Sequence, residues 1–270
     1  MIKTILKNII PPIFLRIIKR KPRYGFFGDY SSWREALKLT GSYDSEKIFE
    51  KVKNASLKVK HGEAVYERDS VLFDKIQYSW PLLTSLLWIA SKQENRLNLI
   101  DFGGALGTSY YQNLNFLSHL RELKWNIVEQ KKFVDYGKEL FAGQNLNFYY
   151  SIKECLKQEK TNVLILSNVI QYLEFPYQFL ENIGDNFEYV IIDRTPVFQN
   201  HDQIVIQKIP PRIYEASYPC WILNDEKIKS FFSKSYELIA DFDADIGIAM
   251  KPGNSRATYK GFLFKRRNNE

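Results

Sequence analysis

Cysteine and histidine are scarce in this 270-residue chain, which has two of the first, Cys155 and Cys220, and three of the second, His61, His119 and His201. No two of them stand at metal-ligand spacing, which argues against a structural zinc. So few thiols suit a reduced, cytoplasmic setting with both buried. Internal repeats and long low-complexity tracts are also missing. So is any apolar run long enough to cross a bilayer. The most promising stretch, residues 1–20, is broken by Lys7, Asn8 and Pro11-Pro12. No small-residue cleavage site follows it, so it does not read as a signal peptide. Acidic residues are absent from its neighbourhood: seven Lys or Arg lie between Lys3 and Arg23 with no Asp or Glu.

The net charge of +7 is therefore concentrated at the ends, with Lys265, Arg266 and Arg267 adding to it at the other terminus. A nucleic-acid groove spreads cations along one folded face with aromatics between them. That pattern is not present, and no nucleic-acid partner is expected. Residues 1–23 instead form a basic amphipathic segment with Ile2, Ile5, Leu6, Ile9 and Ile10, then Ile13, Phe14, Ile17 and Ile18, as its apolar positions. Such a segment suits peripheral contact with the inner face of a membrane, and equally a helix packed on its own domain.

Apolar residues at 45% and charged residues at 26% give an ordinary globular balance, enough for one large domain and an appendage,. Residues 24–96 read as a helical cap. A helix start near Trp33 is capped by Ser31 or Ser32, an amphipathic helix spans Glu46 to Lys60, and Phe73 to Lys92 carries leucines at helical spacing,. From Leu97 the pattern alternates. Strands are expected at 97–101, 124–129, 146–149, 162–167, 188–193, 236–242 and 259–265, with helices at 107–121, 131–141, 151–158, about 175–184 and 224–233. The expected architecture is α/β: a doubly wound, Rossmann-like, seven-stranded, mostly parallel sheet over 97–270. The turn at Lys251-Pro252-Gly253-Asn254 makes the last two strands an antiparallel hairpin.

The chemistry-bearing stretch is Leu97-Asn98-Leu99-Ile100-Asp101-Phe102-Gly103-Gly104-Ala105-Leu106-Gly107. A strand ends in an acid, a glycine turn follows, and a helix begins. Glycine at Gly103, Gly104 and Gly107 lets backbone approach a ligand and adopt positive φ, while the helix aims free N–H groups at it. Asp101 stands at the strand's carboxyl end, where it can accept from an ammonium or from a bound water. Glu129 ends the next strand, where an acid can accept both hydroxyls of a ribose. Ser167, Asn168 and Gln171 emerge where the fourth strand meets the central crevice, to contact a cofactor or to cap a helix. Asp193, ending the fifth strand, and the loop residue His201 are the candidate general bases.

These residues resemble the class I S-adenosylmethionine-dependent methyltransferases. The first motif of that family reads here Asp101, Gly103, Ala105, Gly107, with alanine in place of the middle glycine. The resemblance covers about residues 97–267. It implies S-adenosylmethionine as cofactor, Glu129 as the ribose acid, Tyr150-Ser151 beside the adenine, Asn168 to Leu173 as the fourth motif and a reversed seventh strand. Tyr66-Glu67-Arg68-Asp69, Ile191-Ile192-Asp193-Arg194-Thr195-Pro196 and Tyr218-Pro219-Cys220-Trp221 are similar to phrases of a bacterial methyltransferase group. Genes of that group lie among those for surface polysaccharides. This narrower likeness implies a glycan or small-molecule acceptor.

Two other readings stay open at this level. An NAD-dependent sugar-nucleotide oxidoreductase or epimerase uses a similar glycine turn and ribose acid, although Asp101 beside the glycines suits a cationic ligand better than a pyrophosphate. A non-catalytic, methyltransferase-like scaffold at the membrane is the other, favoured by Ala105. Glu67, Arg68 and Asp69 either reach over the site or pair among themselves.

Overall fold

The computed structural model describes residues 23–40, 46–250 and 256–268. All but Arg23 of the basic amphipathic segment, and the expected turn at Lys251 to Asn254, lie outside them.

Residues 24–96 contain three helices, α1 (Trp33–Leu37), α2 (Glu46–Lys60) and α3 (Trp80–Lys92), but also three strands. These are β1 (Gly25–Tyr30) and the hairpin of β2 (Tyr66–Arg68) and β3 (Val71–Phe73). The expected helical cap region thus holds strands as well as helices. Ser32 caps α1 as expected, its hydroxyl accepting from Glu35 N at 3.2 Å. The hairpin turns on Asp69 and Ser70, with φ of 51° and 65°, the paired positive values of a tight primed turn,.

Beyond residue 95 the chain alternates: β4 (Arg96–Phe102), α4 (Thr108–Leu117), β5 (Glu122–Val128), α5 (Lys131–Leu140), β6 (Leu146–Tyr149), α6 (Ile152–Gln158), β7 (Val163–Ser167), a short turn of 3-10 helix at Ile170–Tyr172, α7 (Pro176–Ile183), β8 (Tyr189–Phe198), β9 (Gln203–Ile209), β10 (Ala216–Asn224), α8 (Asp225–Phe232), β11 (Tyr236–Met250) and β12 (Arg256–Arg266). Seven strands lie in the order β6-β5-β4-β7-β8-β12-β11. The first five are mutually parallel, β12 runs antiparallel to β8, and β11 runs antiparallel to β12. The seven expected strands are therefore all present, in a Rossmann-like doubly wound sheet.

The sheet has an addition that the sequence pattern did not reveal. β8 continues past Asp193 to Phe198 and pairs there with β10, which pairs with β9, which pairs with β1. The residues just before the first expected helix thus form an edge strand on the far end of the molecule's sheet.

Period-two alternation sorts the side chains of the central strands onto two faces. Leu99, Trp125, Ile127, Val163, Ile165 and Ile191 meet α2, α3 and α5 on one face. Ile100, Val128, Leu164, Leu166, Val190 and Ile192 meet α6, α7 and α8 on the other. In the central strand β7 the run Val163-Leu164-Ile165-Leu166 is fully buried, as a parallel strand covered on both sides requires,. Each such side chain contributes roughly 1.5–3 kcal/mol of burial. Cys155 and Cys220 are free thiols, both buried.

Candidate functional site

The loop between β4 and α4 turns through residues that take positive φ: Gly103 at 75°, Ala105 at 50° and Gly107 at 100°. A Cβ on Gly103 would stand 2.5 Å from Val169 Cγ2, and one on Gly104 would stand 2.6 Å from Asp101 Oδ2. Glycine is thus required by close approach at both positions. Gly107 precedes the first turn of α4, whose N–H groups open toward the crevice,.

Asp101 is 1% exposed, and its Oδ2 accepts from Trp125 Nε1 at 3.0 Å. Burial pushes its carboxyl up to about 7, against the Trp125 hydrogen bond and with help from the nearby Glu129 charge. Glu129 follows β5, is half-buried, and accepts from the Gln130 backbone N–H.

Two cavities flank this loop and share Gly103 and Asn168. The larger, about 350 Å³, opens at the carboxyl ends of β4 and β5 and has Glu129, Gln130, Tyr150, Val169, Tyr172 and Leu173 among its walls. The Tyr150 ring closes one side, held by its hydroxyl donating to Asp135 Oδ1 at 2.6 Å. The Gln130 side-chain oxygen is buried without a hydrogen bond among the described residues.

The smaller cavity, about 100 Å³, lies between the glycine loop, the β2–β3 hairpin and the ends of β7 and β8. Glu67, Arg68 and Asp69 of the hairpin do reach the site. Glu67 is 3% exposed and accepts from the Thr108 hydroxyl at the start of α4 and from Ser70 N at 3.2 Å. Burial pushes its carboxyl up to about 7 against those two hydrogen bonds. Asp69, Ala105, Asn168 and Arg194 all line this cavity, and all four hold φ between 50° and 54°. Left-handed backbone at non-glycine residues is costly and clusters at functional sites.

Other expected site residues have different surroundings. Ser151 lies outside both cavities: its hydroxyl is the cap of α6, accepting from Glu154 N at 3.1 Å. Ser167 lines the smaller cavity and donates to Asp193 Oδ2 at 3.2 Å. Gln171 is fully buried and supports the crevice from behind, its Nε2 donating to Asn168 Oδ1 at 2.6 Å. Asp193 is fully buried beneath the cavity rather than open to it, and burial raises its carboxyl while Arg194 and Ser167 oppose the rise. His201 is exposed in the β8–β9 loop and lines neither cavity. Its neighbour Asp202 ties that loop to α8, accepting from Asn224 N at 2.6 Å and Lys227 Nζ at 2.5 Å. Neither candidate base is therefore open to the crevice in the way the sequence order suggested. Tyr149 and Lys153 stand at the Tyr-x-x-x-Lys spacing that a sugar-nucleotide oxidoreductase would use. Neither borders the crevice, because the Tyr149 ring packs into the core behind β6.

In the sequence alone Glu67 is open between reaching over the site and pairing with its neighbours, because nothing local distinguishes a site acid from a paired one. The signal was present only in the turn Asp69-Ser70, which folds the segment back. No cluster of His, Cys, Asp or Glu able to hold a metal occurs among the described residues.

No family model matches this chain, and no curated protein matches it. Solved structures match its fold. A pericyclic reaction enzyme is 11% identical, with a TM-score of 0.50, over 95% of this chain and 62% of that one. The N-terminal domain of EvdMO1, crystallised in the presence of SAH and D-fucose, is 6% identical, with a TM-score of 0.49, over 83% of this chain and 100% of that domain. The CcbJ methyltransferase from Streptomyces caelestis is 10% identical, with a TM-score of 0.47, over 75% of this chain and 94% of its own. At these identities the likeness is one of fold.

Proposed function

We propose that this chain is an S-adenosylmethionine-dependent methyltransferase that acts on a hydroxyl of a small molecule, and that the acceptor is a sugar or polysaccharide precursor of cell-surface glycan synthesis. One observation carries the first part: two adjoining cavities meet at Gly103 of the glycine loop, the larger with Glu129 in its wall and the smaller with the buried carboxyl of Asp101 and with Gly104. The residues fit the cofactor's chemistry. Backbone at Gly103 and Gly104 follows a path that a Cβ would block, against Val169 and against the Asp101 carboxyl. Glu129 is placed to accept from ribose hydroxyls, Tyr150 and Leu173 offer apolar walls to a base, and Asp101 is placed to meet an ammonium. A cation beside Asp101 favours its charged form and offsets the burial that raises it. When bound, the cofactor supplies an activated methyl group. The task of the chain is to align a nucleophile with it and to exclude water.

Glu67 takes the part of general base in place of Asp193 and His201. It faces the smaller cavity, and its pKa near 7 matches a group that must accept a proton near neutral pH,. The hairpin holds it in one position through the Thr108 and Ser70 hydrogen bonds. The glycan acceptor rests on the resemblance described for the sequence, as does peripheral membrane contact through residues 1–23. Among the described residues no helix is long and apolar enough to cross a membrane.

S-adenosylhomocysteine tests the reading directly. It should raise the melting temperature, because a ligand that binds only the folded form stabilises it. Asp101→Ala and Glu129→Ala should abolish the rise, and NADH should produce none. A shift with NADH alone would favour the oxidoreductase, and no shift with either would favour the scaffold. Transfer of a tritiated methyl group to sugar nucleotides and lipid-linked glycans, with neutral glycosides beside them, tests the acceptor. Liposome co-sedimentation of the full chain against one lacking residues 1–23 tests the membrane contact, and equal binding by both would sink it.

A further inference from the structure

Arg194 has no task in the reaction as described above. It follows Asp193 on β8, and only 9% of its side chain is exposed. A guanidinium carries five N–H donors. Among the described residues its ion pair runs from Nε to Asp193 Oδ2 at 3.7 Å, beyond hydrogen-bond length, and none of its side-chain N–H groups donates a hydrogen bond,. Buried charges are normally both paired and hydrogen-bonded. This one borders the smaller cavity, and Arg68 of the hairpin lines the same space.

We propose that Arg194 and Arg68 form an anion subsite for the acceptor, so that the substrate carries a carboxylate or a phosphate a few bonds from the hydroxyl that Glu67 deprotonates. This rests on the methyl-transfer reading. Strand order favours the acceptor over the cofactor as the source of the anion. The cofactor reading uses the ends of β4 and β5, and reaches the smaller cavity only at Asp101 and the glycine loop, whereas Arg194 enters that cavity from β8, with β7 between it and β4. Two strand spacings are about 10 Å. The arginine therefore approaches the glycine loop from the side opposite Glu129.

Four carboxyl groups adjoin the subsite. Asp193 lies behind Arg194 and is hydrogen-bonded to Ser167. Asp69 is near enough for the charges of both Arg194 and Arg68 to act on it. Burial pushes Glu67 up to about 7, so at neutral pH it is in part uncharged and repels an anion less, and the charge of Asp101 is met by the cofactor's ammonium. A volume of about 100 Å³ suits a compact anion rather than an extended polyanion. Asn168 and Arg194 hold φ of 54° and 52°, in the left-handed region that residues with side chains seldom adopt,.

The test uses the full chain with inorganic phosphate, acetate, D-glucuronate and neutral D-glucose as probes, each titrated calorimetrically with and without saturating S-adenosylhomocysteine. The expected result is binding of at least one anion, with no binding of D-glucose, that persists when S-adenosylhomocysteine is present. The phosphate and acetate arms tell which anion is preferred. Arg194→Met should weaken the bound anion at least about tenfold, the loss of one charge-assisted hydrogen bond, while S-adenosylhomocysteine binding stays within about threefold. If Arg194→Met does not fold because Asp193 is left buried without its partner, the double variant Asp193→Asn with Arg194→Met removes both charges, and Arg68→Met probes the same subsite from the hairpin. Displacement of the anion by S-adenosylhomocysteine, or a tenfold loss of S-adenosylhomocysteine affinity in Arg194→Met, would assign the arginine to the cofactor's own carboxylate and overturn the proposal. So would equal binding of glucose and the anions, or no anion binding. If S-adenosylhomocysteine fails to bind while an Arg194-dependent anion does, the methyl-transfer reading falls and the anion subsite stands.

Discussion

Asp101 and Glu67 are the two residues on which the proposed reaction turns, and burial raises the carboxyl of each. Gly104 is the residue that allows Asp101 its position, since a methyl group there would meet the carboxylate at 2.6 Å with the side chain already hydrogen-bonded to Trp125. Gly104→Ala should lower stability by about 1–3 kcal/mol, the usual cost of overpacking, and weaken S-adenosylhomocysteine by isothermal titration. Unchanged affinity would mean the loop is a bend and nothing more. Glu67→Gln has a kinetic signature. In the wild type kcat/KM should rise with pH through a midpoint near 7, because the base works only after losing its proton,. In Glu67→Gln that limb should vanish along with most of the rate, and its survival in the variant would move the role of base elsewhere. Ala105, at φ 50°, occupies a position that glycine fills at lower strain,. Ala105→Gly should therefore keep S-adenosylhomocysteine binding, with stability within about 1 kcal/mol of wild type by chemical denaturation.

At the scale of elements, β8 runs past Asp193 paired with β12 and, at Val197 and Phe198, with β10, through which β9 and β1 join the sheet. Phe26 of β1 is 4% exposed and packs with Val205, Cys220 and Ile222. Phe26→Ala should cost roughly 3–5 kcal/mol and speed hydrogen exchange in β9, whose register it shares from Gly25↔Lys208 onward,. Exchange confined to β1 alone would show the addition to be a loose fringe. This part of the fold was hidden in the sequence for a physical reason. Gly25-Phe26-Phe27-Gly28 carries two glycines, a bulge follows between Phe27 and Tyr30, and its partner β9 is about two-thirds of the chain away. The central parallel strands of the main sheet were legible because buried parallel strands read as apolar runs, of which Val163 to Leu166 is the plainest,.

For the whole molecule, the buried carboxyls set the response to pH. Glu67 has an ordinary value of 4.5 and a folded value of about 7, so between those two the folded chain binds more protons than the unfolded one. Stability must therefore fall as pH rises from about 4.5 to about 7 and level off above. Asp101 acts in the same direction from 3.8, and burial adds Asp193 with the same sign. Each of the first two contributes on the order of 3 kcal/mol of this decline. Chemical denaturation across that range should show the slope, and Glu67→Gln with Asp101→Asn should flatten it. A wild-type curve that climbs with pH would contradict the burial of both groups.

The order of strand, glycine turn and helix, the acids at two strand ends and the mostly parallel sheet were determined by the sequence alone. Each depends on near neighbours, where periodicity and backbone freedom act directly. The partnership of Glu67 with Thr108, the burial of Asp193 away from the crevice, the exposure of His201 and the open guanidinium of Arg194 were decided only by the tertiary structure. Those depend on contacts between residues far apart in the chain, and on how much water each side chain loses when the layers close.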